Sequence, residues 1–341
     1  MVTSCAFIAA LGTAAGIASH DSSNEKIHIE PRYFVGQTLF YRVMMRTSSK
    51  NDTKTPIYNP EGASAWNESI RMVVRLDVLS IPAAPSNAGE KMESRKSAGA
   101  AAEGVRVRAT FKESDATVDS DAVNPAMPAP GSAYKELASH AIEFTVLPNG
   151  RLKDVTGVDA IHANAGAQAI SLDWLGGIIA RGNLPNRWIA LGEKWSSERA
   201  LEQMPLTDMH WRADSSYVRD EPCGPEAGAG TPAPGSAAKR EACAVILTKF
   251  EIRHDGSLHA DASPKEYIQS GLRTMGNWSG SGDSLETIAI ASGLLVSSTQ
   301  SSTQDTDYTI ASAVTGSKIH VKGRTTTETE ITLVPAGEPG T

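Results

Sequence analysis

Ile70–Val78 reads IRMVVRLDV, and its period of two decides the fold. Ile70, Met72, Val74, Leu76 and Val78 share one face, while Arg71, Arg75 and Asp77 lie on the other with Val73. That is the signature of a half-buried β-strand. Working outward, Val105, Val107, Ala109 and Phe111 alternate with Arg106, Arg108, Thr110 and Lys112. Leu39, Tyr41, Val43 and Met45 alternate in the same way with Phe40, Arg42, Met44 and Arg46. Further strands are expected at Ile142–Leu147, Lys194–Ala200, Met209–Val218, Ala244–Arg253, Leu272–Asn277, Leu285–Ile290, Leu294–Ile310 and Lys318–Val334. Pro148-Asn149-Gly150 and Ser292-Gly293 separate extended runs as hairpin turns do, so neighbours in sequence are expected to pair.

One strong helical period runs from Val158 to Arg181, where Val158, Ile161, Ala165, Leu172, Leu175 and Ile179 recur at helical intervals. The chain is therefore expected to be mainly β, a β-rich α+β protein. Its architecture is a large curved antiparallel sheet or half-open barrel with one main helix packed on its concave side. A β-sandwich with the helix outside satisfies the same periodicities. Ser and Thr occupy both faces in SSTQSSTQDTDYT from Ser297 and in TTTETEIT from Thr325, which argues against a closed barrel with a dry centre.

The 341 residues are 40% apolar and 21% charged, which excludes fibrous, collagen-like and fully disordered classes. A net charge of −7 excludes a general nucleic-acid binder. Residues 1–24 form a signal-like apolar start and tail, in which CAFIAALGTAAGIA from Cys5 to Ala18 has secretory h-region character and is too short to span a bilayer. No cation precedes Lys26, which departs from the usual positive start of a signal. No integral membrane span is expected elsewhere. A single β-rich domain is expected over residues 25–335, with disordered inserts at about 82–104, 123–133 and 224–242 and a tail at 336–341. Cys223 and Cys243 flank the last insert, and a disulfide between them would staple a hairpin of Tyr217–Asp220 with Ala244–Ile252. These features point to a periplasmic or secreted location of the bacterial type.

The search for chemistry finds little. No nucleophile elbow, phosphate loop, dinucleotide fingerprint or His-Glu-x-x-His motif occurs. Ser-x-x-Lys occurs at Ser23/Lys26, Ser132/Lys135 and Ser236/Lys239, always in expected loops or tails. His254, Asp255, His259 and Asp261 carry metal-ligand chemistry, yet a solvated hairpin tip explains the same letters. No catalytic residue, metal or cofactor is assigned. Tyr41, Val43, Val74, Ile161, Leu172 and Leu175 are the candidates for an apolar cavity between sheet and helix. Arg71, Arg75, Arg106 and Arg108 are the candidates for a basic face, with acidic cross-strand partners such as Asp77 and Glu113 as the alternative explanation.

Four segments carry a resemblance: GQTLFYRVMMR from Gly36, FTVLPNGRLKDVTG from Phe144, LGEKWSSE from Leu191 and SGLLVSSTQSST from Ser292. In this order they resemble a loose family of uncharacterised exported bacterial β-rich proteins, which share a Gly-x-x-Trp turn and a late Gly-Leu hairpin. More distantly, the pattern is similar to the lipoprotein-carrier and mycobacterial lipid-binding lipoprotein half-barrels. That similarity implies a half-barrel with an apolar cavity and brings no catalytic residues. The expected function is a non-enzymatic exported envelope protein that binds a lipid or other apolar small molecule between sheet and helix. The alternative is an envelope interaction protein with a solid core, binding a protein or glycan through loops or the basic face.

Overall fold

A computed structural model describes residues 26–54, 63–81, 104–121, 132–138, 140–147, 152–158, 175, 178–179, 184–201, 205–224 and 241–335. The first half of the chain contributes β1 (Lys26–Ile27), β2 (Thr38–Lys54), β3 (Ala63–Ser80), β4 (Val105–Ser120), α1 (Ser132–Leu137), β5 (Ala141–Val146) and β6 (Leu152–Thr156). The second half contributes β7 (Ile189–Ala190), β8 (Lys194–Ala200), β9 (Met209–Pro222), β10 (Ala242–His254), α2 (Lys265–Gln269), β11 (Leu272–Ala289), β12 (Leu295–Ser312) and β13 (Lys318–Val334).

Eleven of these strands form one antiparallel sheet, in the order β6-β5-β4-β3-β2-β13-β12-β11-β10-β9-β8. The sheet does not close into a barrel: β6 and β8 are its two edges, and β1 and β7 pair separately. Two hairpin series build it, one running outward from β2 to β6 and one running inward from β8 to β13. They join where β13 pairs β2 over His320–Val334. That seam brings together strands that are remote in sequence, and hydroxyls bridge it: Ser49 and Thr325 lie 2.9 Å apart, and Thr47 and Thr327 3.4 Å.

The alternating residues that announce the strands all fall on one side, called the core face below. Ile70, Met72, Val74, Phe111, Ile142 and Phe144 are 2% exposed or less, in one cluster that also takes in Ile246, Tyr217 and Trp195 on the far side of the seam. Aligned apolar side chains of this size are worth about 1.5–3 kcal/mol each on burial. Cover comes from outside the sheet. Ile29, Leu137 and Ile189 pack on the cluster, as do Leu175, Ile178 and Ile179. The last three lie in the stretch between β6 at one edge of the sheet and β8 at the other. Tyr33 secures it by donating its hydroxyl to the Ile179 carbonyl at 3.3 Å.

Of the helix expected over Val158–Arg181, only Val158, Leu175, Ile178 and Ile179 are among the described residues; the last three are helical and buried, and the remainder lies outside. The helices described in full are short: α1 has 6 residues and α2 has 5. The signal-like start and most of the expected inserts also lie outside the described residues, although α1 begins inside the segment expected to be disordered at 123–133. Tyr134 and Leu137 explain it, because both are buried against the main cluster.

One expectation about strands is corrected. Leu272–Asn277 and all of Leu285–Ile290 but its last residue belong to a single 18-residue strand, Leu272–Ala289, that runs through Gly-Ser-Gly-Asp without a turn. The glycines serve close approach: a Cβ at Gly282 would sit 2.5 Å from the ring of Phe250 on β10. The Gly-x-x-Trp turn has an equally local cause. Gly192 adopts φ +79°, and the turn docks on β9 through Gly192 N–H to the Tyr217 carbonyl and Tyr217 N–H to the Glu193 carbonyl, at 2.8 and 3.0 Å. Trp195 is thereby delivered to the core face. The cysteine pair behaves as the hairpin geometry requires: β9 and β10 are paired, and Cys223 and Cys243 form a disulfide where β9 ends and β10 begins, with Cα atoms 5.0 Å apart. No described helix is long and apolar enough to cross a membrane.

Candidate functional site

Strand register lays the core face out in transverse rows. One row reads Tyr217, Ile246, Glu286, Ser298, Ile331, Val43 and Met72 from β9 to β3. On one side of it lie Ala244, Ile288, Leu333, Tyr41 and Val74, which are apolar or aromatic and buried, with Asp220 at the β9 end of the row. On the other side come Ser215, Thr248, Ser284, Gln300 and Thr329, which are polar, and the row ends on the apolar Met45 and Ile70 of β2 and β3. The hydroxyl character continues through Ser302, Thr327 and Thr47 in the row after that. Ser215 and Thr248 bond one another at 2.8 Å, so part of this belt satisfies itself.

Beyond the belt, a second apolar cluster forms from Met209, Trp211 and Ala213 of β9, Phe250 and Ile252 of β10, and Leu206 and Ala262 from the flanking loops. Trp278 and Tyr308 stack beside it with ring centroids 5.9 Å apart. The core face thus passes from apolar to hydroxyl-rich along the central strands, and back to aromatic towards β9.

Charge is distributed between the two faces with little overlap. Among the described strands of the sheet, the core-face carboxylates are Glu68, Asp220 and Glu286, and the core-face cation is Arg199, whose guanidinium lies 4.8 Å above the Trp211 ring. Glu68 is held by hydrogen bonds from Tyr134 and Trp66, though burial still raises its pKa above the usual carboxylate range. Asp220 accepts from the Tyr217 hydroxyl. Glu286 is different. It is partly buried in the row where apolar surface gives way to hydroxyls, no donor among the described residues reaches it, and burial pushes its pKa up to about 7.

Of the residues proposed for an apolar cavity, Tyr41, Val43, Val74 and Leu175 are all 1% exposed or less and share the main cluster. Ile161 and Leu172 lie outside the described residues. The Tyr41 hydroxyl is satisfied by the Leu295 carbonyl at 3.0 Å, and burial, with Tyr33 nearby, raises its pKa.

Arg71, Arg75, Arg106 and Arg108 lie together on the opposite face, in strands β3 and β4. Arg75 pairs with Asp77 at 2.9 Å, and Arg106 and Arg108 both reach Glu143, at 3.3 and 2.6 Å. Arg108 and then Arg106 hold the Glu143 carboxyl below its ordinary range. Arg71 is exposed. Three open grooves also mark the opposite face, of about 720, 480 and 270 Å³, lined by charged and hydroxyl residues such as Lys50, Asp305, Arg324, Asn67 and Glu328.

The His-Asp cluster does not assemble into a centre. Asp255 lies 3.7 Å from His210, while Asp261 accepts hydrogen bonds from Ser263 and lies 3.5 Å from Arg273. No three His, Cys, Asp or Glu side chains converge as a metal site among the described residues. Sequence reasoning passed over Glu286. The available signal was its parity, since in LETIAI it shares a face with Ile288 and stands as the one acid in an apolar stripe.

No protein-family model and no curated protein sequence matches the chain. Among solved structures it is similar to lipovitellin, in a structure described by its lipid-protein interactions, with 9% identity and a TM-score of 0.41. That match covers 91% of this chain and 27% of lipovitellin, so the chain spans about a quarter of its length. The outer membrane protein OprG from Pseudomonas aeruginosa matches at 8% identity over 89% of this chain and 97% of its own, with a TM-score of 0.17. Scores this low carry no weight in the functional argument. What the fold itself defines is an open, eleven-stranded antiparallel sheet with one apolar face.

Proposed function

We propose that this is a non-enzymatic exported envelope protein that holds a lipid or another apolar small molecule between the core face and the stretch joining β6 to β8. Burial, with no bond made or broken, is the mechanism. The observation that carries the reading is the continuous apolar cluster running across an open sheet from β5 to β8, covered in part by Leu175, Ile178 and Ile179. An open sheet has an unclosed flank through which a chain-like ligand enters. From β9 to β13 the apolar rows give way to the hydroxyl belt, which suits a molecule with one greasy end and one polar end. Export is supported by the Cys223–Cys243 disulfide, since such bonds persist in oxidising compartments. The signal-like start at residues 1–24 and a single domain over residues 25–335 belong to the same reading.

The test is retention. Full-length protein expressed for export and weighed first under native and then under denaturing conditions is expected to show an excess mass that vanishes on denaturation. Leu175→Asp or Leu172→Asp abolishes the excess, while Arg71→Glu on the other face spares it. Equal retention by all three variants, each with native circular dichroism, contradicts the proposal. A second reading, an interaction protein that binds another envelope protein or a glycan, draws support from the polar grooves of the opposite face. Loss of a captured partner on charge reversal of Arg71 and Arg106, with no bound small molecule, favours it.

A further inference from the structure

We infer that the core face carries a head-group subsite centred on Glu286, and that it selects an amphiphile whose head is a positively charged nitrogen. The inference rests on the ligand-holding reading above and specifies the ligand.

Three observations converge. First is position. Glu286 faces the same side as Ile246 and Ser298, its direct cross-strand neighbours, and as Ser284 and Ile288, two residues away on its own strand. Cross-strand neighbours lie about 5 Å apart, so the carboxyl sits within one side-chain reach of both the apolar rows and the hydroxyl belt. The apolar rows of Ile288, Ile331, Val43 and Tyr41 end beside Glu286, Ser298 and Gln300.

Second is the missing partner. Glu68 and Asp220, the other carboxylates of this face, are each satisfied by a tyrosine hydroxyl. Glu286 alone is left without a donor among the described residues. A carboxyl drawn partly out of water with no protein donor is left open to a cationic partner.

Third is the sign of the field. Every Lys and Arg of the described sheet strands points to the opposite face except Arg199, which sits over Trp211 at the β8 edge. An anionic head on this face would meet carboxylates and no nearby cation. A cationic nitrogen would ionise Glu286 and pair with it, and Ser284, Ser298 and Gln300 would take its remaining N–H groups or an adjoining hydroxyl.

The experiment uses three probes with the same saturated C14 tail: tetradecylamine, tetradecanol and tetradecanoate. Each is titrated below its solubility or micelle limit into the full chain at pH 7.5, with binding read by calorimetry. The amine is expected to bind about tenfold or more tighter than the alcohol, as a charge-assisted pair supplies, and tetradecanoate weakest. Glu286→Gln brings the amine to within about twofold of the alcohol and leaves the alcohol unchanged, while Arg199→Gln leaves the amine preference intact. Should the Gln variant fail to fold, the wild-type ranking decides alone. Alcohol and acid binding as well as or better than the amine overturns the head-group inference and leaves the apolar reading standing. Failure of all three to bind overturns both.

Discussion

Glu286 is where the chemistry of single residues is most exposed to test. Its ordinary pKa of 4.5 is raised to about 7 by burial, so the fold prefers the protonated carboxyl and the unfolded chain releases the proton first. The stability this group supplies is therefore complete below about pH 4.5 and is lost as pH rises through about 7. Glu286→Gln, which mimics the protonated form, is expected to match the native protein at pH 4.5 and to exceed its stability at pH 8 by about 2 kcal/mol. Urea unfolding at both pH values checks this, and an identical difference at the two would remove the case for a desolvated carboxyl. Tyr41→Phe provides a second single-residue test. It leaves the Leu295 carbonyl unpaired in the core, at an expected cost of about 1–2 kcal/mol in the same assay.

Among elements, β11 and the β9–β10 hairpin make the sharpest claims. β11 runs unbroken because glycine at 282 leaves room for the Phe250 ring and for the Ser301 carbonyl 2.3 Å from where a Cβ would stand. Gly282→Ala is expected to cost about 1–3 kcal/mol by overpacking, seen as a lower midpoint in thermal unfolding, with Phe250→Leu restoring part of it. The hairpin depends on its staple. Cys223 and Cys243 are 20 residues apart, and loop-closure entropy gives such a bridge about 3 kcal/mol. Cys223→Ser with Cys243→Ser, or reduction of the native bond, should lower stability by that amount without moving the strand content seen by circular dichroism.

The same elements show what the sequence made legible and why it stopped. Period two identified β2, β3 and β4 from their Tyr41, Val74 and Phe111 faces because each buries one side only. The signal faded where both sides are hydroxyl, so the full reach of β12 and β13 depended on threonine content alone. The break assumed inside β11 came from taking glycines as turn residues when they serve close packing. Glu286 stayed hidden because a carboxyl on an apolar face reads as an ordinary polar position until register shows which neighbours surround it. The seam between β2 and β13 joins residues such as Ser49 and Thr325, and nothing local encodes a pairing of that separation.

Taken whole, the molecule segregates its chemistry by face. Cations and their carboxylate partners occupy one side, as Arg75 with Asp77, Arg108 with Glu143 and Arg324 with Asp305 show. The other side holds the apolar cluster, the hydroxyl belt and the unpaired Glu286. Leu175, Ile178 and Ile179, from the stretch between β6 and β8, pack on that second side and cover part of it. The most direct test of this account is the mass of the exported, full-length protein under native and then denaturing conditions. The account predicts an excess mass that departs on denaturation and is absent from Leu175→Asp. A bare native mass, together with no uptake of any C14 probe, would contradict it and leave a packed core with no ligand to hold.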